Sequence, residues 1–261
     1  MGGSLSSCSD CSVSSLENTM NSKIFHPPTR SYDPESLNSN SCVIYSTTTA
    51  SDLTVYLALV QPQTDTVSSK YIIFSTGNGA DIFNMLPYAQ HLANKLDLSV
   101  ILYDYPGYGN STGYCSENNC YEALASVVNF TMKRLEASEK DITLMGQSLG
   151  TGIVVDYVSK NVWNRPIILI SPYKSIISVV YDSSIVGPID KFKTLSKLDN
   201  VNCPVKIFHG LDDELINVSH GKTIHQRLGD KALEPTWLPG IGHNDILWAV
   251  DLAEINRIVN Y

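Results

Sequence analysis

The sequence lacks the extended features that define several large classes of protein. No apolar run reaches the roughly 18 residues that a membrane-spanning helix needs, and no signal-peptide core stands near the start. There is no block of basic residues, and the net charge of −8 is spread over many single acids. A nucleic-acid ligand is therefore not expected. These absences predict a cytoplasmic protein.

Cysteine is also scarce. The 6 cysteines among 261 residues are too scattered to form a disulfide framework, and no Cys/His spacing resembles a zinc site. We expect free thiols, no bound metal and no cofactor. The cysteines stand at positions 8, 11, 42, 115, 120 and 203.

The composition divides the chain into two unequal parts. Residues 1–41 are rich in serine, asparagine and proline and have little apolar periodicity, which predicts a flexible tail. Residues 42–261 contain no linker, and with 43% hydrophobic residues in the whole chain they predict one domain. We expect a monomer.

Within this domain, strand and helix patterns alternate. Such alternation predicts an α/β fold with a mostly parallel central sheet and helices on both faces. The strands are predicted at 52–60, 70–75, 99–103, 141–146, 165–170, 205–209 and 234–238, and the helices at about 82–96, 119–135, 149–160, 219–229 and 244–261.

One stretch, DITLMGQSLGTGIVVDYV, changes from a strand pattern to a helix pattern at a serine. Gly146 and Gly150 lie two residues before and after Ser148, where the absence of Cβ atoms lets a strand and a helix approach closely. This G-x-S-x-G turn exposes the serine as a candidate nucleophile. The N–H of Leu149 opens the helix and is a candidate donor to an oxyanion.

A serine nucleophile needs a general base and an acid that orients the base. His243 alone among the histidines lies in a glycine-rich loop between a predicted strand and the last helix, so it is the candidate base. The segment FHGLDDELI offers Asp212, Asp213 and Glu214 after another strand, and spacing leaves the choice open.

A second oxyanion donor is expected from the loop after the strand KYIIFS. That loop has the sequence STGNGADI, in which Gly77 and Gly79 allow a tight turn. The backbone N–H of Asn78 is the candidate donor.

The motifs together resemble the α/β-hydrolase-domain 17 group of membrane-bound protein depalmitoylases. The resemblance runs from about residue 40 to the end and implies that Ser148 is the nucleophile, Asp213 the acid and His243 the base. One departure is Thr76, because the family has His-Gly-Asn where this chain has Thr-Gly-Asn. The motifs are FSTGNGADI, YDYPGYGNSTG, GQSLGT, ISPYKS, HGLDDELINVSHG and GIGHNDI.

The resemblance also implies a lipidated N-terminus. The first residues, MGGSLSSC, fit the myristoylation pattern with Gly2 as the acceptor. Cys8 and Cys11 are then candidate palmitoylation sites. Because one myristoyl chain holds a protein only marginally, we expect two acyl chains to be needed for attachment to the cytoplasmic face of a membrane.

The segment 171–198 is predicted to be a short insert in an α/β-hydrolase fold, and its apolar residues either line an acyl pocket or pack on the core. The leading hypothesis is a serine hydrolase that removes palmitate from S-acylated proteins. A carboxylesterase or lipase would use the same residues, and a non-catalytic binding protein on this scaffold is the third alternative.

Overall fold

The structure, a computed structural model, describes residues 21–22, 24–29, 32–64, 69–181 and 190–261. The predicted lipidation sites Gly2, Cys8 and Cys11 therefore lie outside the described residues. In the described part of the chain, no helix combines the length and the apolar character needed to cross a membrane.

An eight-stranded sheet forms the centre of the molecule, in the order β1-β2-β4-β3-β5-β6-β7-β8. The pairs β1·β2 and β2·β4 are antiparallel, and every other neighbouring pair is parallel. The fold is the predicted α/β-hydrolase fold. The strands are β1 Cys42–Thr48, β2 Thr54–Val60, β3 Tyr71–Ser75, β4 Ser99–Tyr103, β5 Ile142–Gln147, β6 Ile167–Ile170, β7 Val205–Gly210 and β8 Thr236–Leu238.

The strand β1 was not among the predicted strands. Its sequence, CVIYSTT, ends in hydroxyl residues, and only Cys42 is buried. It is an edge strand held by pairing with β2, in a register that places Cys42 opposite Val60. A strand stabilised by backbone pairing rather than by burial leaves a weak hydrophobic pattern in the sequence.

Helices cover both faces of the sheet, as predicted. The buried residues form two clusters, and neighbouring residues such as Ile72 and Ile73 on β3 belong to opposite ones, as expected from the alternation of side chains along a strand. The helices are α1 Ile82–Leu96, α2 Glu117–Arg134, α3 Leu149–Lys160, α4 Ile176–Tyr181, α5 Thr194–Lys197, α6 Ser219–Leu228, α7 Ile246–Ala249 and α8 Leu252–Val259.

The last helix was predicted as one element over 244–261, but the structure has two short helices there, α7 and α8. Val250 is extended between them, and the side chain of Asp251 accepts a hydrogen bond from the N–H of Ala253. An aspartate in this position caps a new helix start, which explains the break.

The expectation of a flexible tail over the whole of residues 1–41 needs correction. Within this range Phe25 and Tyr32 are buried, and the ring of Phe25 lies 6.0 Å from that of Phe192 in an edge-on contact. The hydroxyl of Tyr32 donates to the carboxylate of Asp104. Apolar residues are few and irregularly spaced around these two aromatic residues, so the sequence shows no periodicity that predicts packing.

The predicted insert between β6 and β7 is present and contains α4 and α5. Residues 182–189 of the insert lie outside the described residues. Ile176 and Val179 are partly buried and pack against the larger core cluster. For these two residues, packing on the core is the alternative that the structure supports.

Candidate active site

The predicted nucleophile lies in a tight turn between β5 and α3. Ser148 has φ 50° and ψ −119°, a left-handed φ that non-glycine residues rarely adopt. A Cβ on Gly146 would lie 2.6 Å from the carbonyl oxygen of Gly150, and a Cβ on Gly150 would overlap the carbonyl of Ser75. Both glycines are therefore required for the close approach of strand and helix.

Ser148, His243 and Asp213 form a continuous hydrogen-bonded chain. The Oγ of Ser148 lies 3.1 Å from Nε2 of His243, and Nδ1 of His243 lies 2.8 Å from Oδ2 of Asp213. The three residues follow β5, β8 and β7, whose parallel arrangement places their carboxyl ends at one edge of the sheet. All three are buried, with Ser148 7% exposed.

Of the three acids that the spacing left open, only Asp213 is directed towards the imidazole. Asp212 and Glu214 are exposed, whereas Asp213 is buried. Its Oδ1 accepts hydrogen bonds from the N–H groups of Leu215, at 3.0 Å, and Ile216, at 2.7 Å. The sequence gives no sign of this difference, because all three acids belong to one turn.

The carboxylate of Asp213 has a further donor that the sequence analysis missed. The hydroxyl of Ser171 donates to Oδ2 at 2.8 Å. Burial acts to raise the pKa of Asp213, but hydrogen bonds from His243, Ile216 and Ser171 outweigh it, so the pKa lies below its usual value. The acid therefore stays ionised, and Nδ1 of His243 carries the proton that it donates.

A second histidine, His209, also lies close to this carboxylate. Its Nε2 lies 2.7 Å from the carbonyl oxygen of Ile216, to which it donates, and 3.5 Å from Oδ2 of Asp213. Burial lowers the pKa of His209 and keeps it neutral. The histidine thus stabilises the loop that carries Asp213, a role that its place at the end of a predicted strand did not suggest.

The segments that carry the two predicted oxyanion donors both adjoin Ser148. Leu149 is the first residue of α3, where the backbone N–H groups have no partner within the helix. The loop after β3 also approaches the serine, because a Cβ on Gly77 would lie 3.6 Å from Cβ of Ser148. Asn78 is the next residue of that loop, so both predicted segments adjoin the serine.

The side chain of Asn78 has a separate function in binding the N-terminal segment, here defined as residues 24–29. Its Nδ2 donates to the carbonyl of Ile24 at 2.7 Å. Its Oδ1 accepts from the N–H of His26 at 3.0 Å and from the hydroxyl of Tyr108 at 2.6 Å. The loop that carries a predicted oxyanion donor is therefore fixed to the N-terminal segment.

Thr76, which replaces the histidine of the family motif, is buried. Its carbonyl oxygen accepts a hydrogen bond of 2.6 Å from the hydroxyl of Tyr105. This bond fixes the loop by its backbone, independently of the side chain at position 76.

The loop after β4 contains another buried acid, Asp104. Its Oδ1 accepts from the N–H of Ile82 at 2.8 Å, and its Oδ2 accepts from the hydroxyl of Tyr32 and, at 3.3 Å, from the N–H of Asn110. Burial raises the pKa of Asp104 to about 6, because these hydrogen bonds lower it by less than burial raises it. Asp104 joins the N-terminal part of the chain to the start of α1.

A cavity of about 830 Å³ lies beside the insert. Its lining includes none of the three residues of the hydrogen-bonded chain, so it does not match the predicted acyl pocket. The lining residues are Lys174, Ser175, Ser178, Asp190, Lys193, Leu195, Ser196, Thr223, Gln226 and Arg227.

Comparison with known proteins identifies the family of this fold. The family model for the alpha/beta hydrolase fold matches residues 72–179. A protein of Acanthamoeba polyphaga mimivirus, described as alpha/beta hydrolase L404, is 45% identical over 259 residues, which cover 96% of this chain and 97% of that protein. This chain belongs to the α/β-hydrolase family. Within the family it is similar to the domain 17 proteins.

Mouse alpha/beta hydrolase domain-containing protein 17C is 35% identical to this α/β hydrolase over 197 residues, or 74% of the chain, and the human protein of that name is also 35% identical. The match spans only 61% of the mouse relative and 59% of the human one. Among solved structures, an esterase of Pyrococcus furiosus, Pf2001, superposes with a TM-score of 0.70 at 15% identity, over 90% of this chain and 98% of that one. At this identity the likeness concerns the fold alone.

Proposed function

We propose that this α/β hydrolase is a serine hydrolase that cleaves the thioester bonds of S-acylated proteins. The observation that carries the proposal is the hydrogen-bonded chain from Ser148 through His243 to Asp213, which brings a nucleophile, a base and an ionised acid into contact. The strained backbone of Ser148 is a second support, because strain of this kind persists where function requires it.

In the proposed reaction, Oγ of Ser148 attacks the thioester carbonyl carbon while Nε2 of His243 accepts the hydroxyl proton. The negative charge that develops on the carbonyl oxygen is stabilised by the N–H groups of Leu149 and Asn78. As the tetrahedral intermediate collapses, the C–S bond breaks and His243 returns the proton to the departing sulfur. Asp213 holds the imidazole through Nδ1 and stabilises its charged form.

The second half of the reaction releases the acyl group from Ser148. Nε2 of His243 accepts a proton from a water molecule as that water attacks the acyl-enzyme ester. A second tetrahedral intermediate then collapses, Ser148 regains its proton from His243, and the products are a fatty acid and a free enzyme. No metal or cofactor takes part in these steps.

The thioester substrate is inferred from the resemblance to domain 17 depalmitoylases. The sequence identity of 35% to the proteins named alpha/beta hydrolase domain-containing protein 17C supports this inference. A protein substrate acylated on cysteine is attached to a membrane. Myristoylation at Gly2 and palmitoylation at Cys8 or Cys11 would bring the enzyme to the same surface, on its cytoplasmic face.

Labelling with a fluorophosphonate probe tests the serine chemistry. We expect wild type to label and Ser148→Ala to lose labelling and about 10⁴- to 10⁶-fold in hydrolysis rate. Ser126→Ala is a matched control, because its buried hydroxyl bonds the carbonyl of Ala123 within α2. An unlabelled wild type would favour a non-catalytic binding protein.

A substrate comparison tests the thioester assignment. Wild type is expected to hydrolyse a palmitoyl-cysteine peptide with a higher kcat/KM than the matching palmitoyl-serine ester. Equal or reversed preference would favour the carboxylesterase or lipase alternative.

Cell fractionation of Gly2→Ala tests the lipid anchor. A variant that remains firmly on membranes would exclude the proposed myristoylation.

A further inference from the structure

Ser171 follows β6 and adopts an unusual backbone conformation. Its φ is 49°, and among the described residues it shares a positive φ with only one other serine, the proposed nucleophile Ser148. Glycine adopts this φ without penalty, whereas a residue with a Cβ is strained there. Ser171 is also fully buried, so its hydroxyl requires a partner in the protein.

The backbone around Ser171 connects the strands that carry the nucleophile and the acid. The N–H of Ser148 donates to the carbonyl of Ile170 at 2.9 Å, and the N–H of Ser171 donates to the carbonyl of Phe208 on β7 at 2.9 Å. Ser171 therefore has a position fixed relative to both β5 and β7. Its side chain reaches Asp213 from that fixed position.

The hydroxyl of Ser171 completes the set of donors around the carboxylate. Oδ1 of Asp213 accepts from two backbone N–H groups, and Oδ2 accepts from Ser171 and from Nδ1 of His243, both at 2.8 Å. A carboxylate has about four acceptor positions. With all of them occupied, the carboxylate cannot rotate away from the imidazole without breaking a bond.

We propose that Ser171 is a positioning residue that orients Asp213 for its hydrogen bond to His243. This inference rests on the proposed serine hydrolase function and assigns a residue outside the predicted triad to it. A glycine would give the same backbone without strain, but it would supply no donor to Oδ2. The strain at Ser171 is therefore the cost of placing a hydroxyl at this point.

Two substitutions separate the hydroxyl from the backbone. Ser171→Gly removes the hydroxyl and relieves the strain, while Ser171→Ala removes the hydroxyl and keeps the strain. For both we expect kcat of thioester hydrolysis and the fluorophosphonate labelling rate to fall by about 10- to 100-fold, equivalent to one hydrogen bond to a charged group. KM should be unchanged, since Ser171 acts through Asp213. Ser126→Ala is the control for loss of a buried hydroxyl.

A spectroscopic measurement gives a readout independent of substrate. The ¹H resonance of the Nδ1 proton of His243 should move downfield in Ser171→Gly, because Oδ2 becomes a stronger acceptor when it loses one of its two side-chain donors. An unchanged resonance would overturn the proposal, even if wild type showed no hydrolysis and the proposed function itself failed.

With an active wild type, the kinetics offer two further ways to reject the assignment. Wild-type kcat in Ser171→Gly, with loss only in Ser171→Ala, would show that strain and not the hydroxyl controls activity. A rise in KM with unchanged kcat in both variants would indicate a role in substrate binding. Either result would overturn positioning by Ser171 while leaving the serine hydrolase function intact.

Discussion

Asp213 and Asp104 are buried acids in loops that follow β7 and β4, yet their surroundings move their pKa values in opposite directions. Burial acts to raise both. For Asp213, hydrogen bonds outweigh the effect of burial and lower the pKa. One of these bonds comes from His243, which can carry a positive charge. Asp104 is bound by Tyr32 and two backbone N–H groups, with the carboxylate of Asp81 nearby, and its pKa remains raised to about 6.

Four donors reach Asp213, and one of them is an imidazole that can carry a complementary charge. Three neutral donors reach Asp104, and they return less than the desolvation cost of its ionised carboxylate. The loop after β7 thus holds an ionised carboxylate, as the proposed reaction requires. The loop after β4 uses its acid as an acceptor that joins distant segments of the chain.

The largest expected effect is on catalysis at Asp213. Asp213→Asn should lower kcat of thioester hydrolysis by about 10⁴-fold, because the amide disturbs the tautomer of His243 and gives its charged form no counter-ion. Asp104→Asn, checked for folding by near-UV circular dichroism, is the matched control and should stay within about tenfold of wild type. Comparable losses in the two variants would remove the distinction between the loops.

The next effect is on the pH dependence of stability. The folded-state pKa of Asp104, about 6, exceeds its ordinary value of 3.8, so the folded protein binds more protons than the unfolded chain between these values. Its contribution to the free energy of unfolding therefore decreases as pH rises from about 4 to about 6, by on the order of 3 kcal/mol. The free energy of unfolding of Asp104→Asn, measured by urea unfolding between about pH 4 and about pH 6, should not show this decrease.

The acid Asp213 should show the opposite sign. Since its folded-state pKa is lowered, it adds stability above pH 3.8, and this stability is lost as pH falls through the lower folded-state value. The free energy of unfolding of Asp104→Asn and of Asp213→Asn is measured as a function of pH. Subtracting each profile from that of wild type isolates the contribution of the substituted acid. Differences of the same sign would contradict the opposite pKa shifts of the two acids.

A smaller effect is expected for Tyr32→Phe, which removes one donor from Asp104 and keeps the ring. The free energy of unfolding at neutral pH should fall by about 2 kcal/mol, the range for a hydrogen bond to a charged group. Urea unfolding measures the loss. Turnover should remain within a few-fold of wild type, and a large loss of kcat would mean that the loop after β4 takes part in the reaction.

The smallest effects are expected for the neighbours of Asp213. Asp212→Asn and Glu214→Gln change exposed acids of the same turn, and each should stay within about tenfold of wild-type turnover. If Asp212→Asn alone reproduced the loss predicted for Asp213→Asn, the acid assignment would move to Asp212.

The positions of Ser148 and His243 could be predicted because each lies in a glycine-containing turn at a change of secondary structure. The choice of Asp213 over its neighbours came from resemblance, since a one-residue difference in direction depends on how the turn folds. Ser171 could not be found in this way. A serine at the end of a buried strand has no pattern, and its role arises from a residue 42 positions away.

The fold was predictable where burial leaves periodicity. The central strands β3, β4 and β5 were predicted within a residue of their observed bounds, because their residues are almost all buried and most of them are apolar. The edge strand β1 and the packed aromatic residues before it were missed. Phe25 and Tyr32 are held by Phe192 and Asp104, which are remote in sequence, and local patterns carry no record of such partners. The strand β1 pairs with the next strand, but its mostly half-buried residues leave little hydrophobic pattern.

The bonds between Asn78 and the N-terminal segment also bear on local unfolding. The two residues joined by each bond are far apart in the sequence, with separations of 52 positions for His26 and 54 positions for Ile24. The N–H of His26 also donates to the hydroxyl of Tyr108, 82 positions away. Such contacts form only after the loops after β3 and β4 are in place, so this segment should dock last and open first. Hydrogen exchange at the amide of His26 would then report opening events that loosen the loop of Asn78 while the sheet remains fully folded.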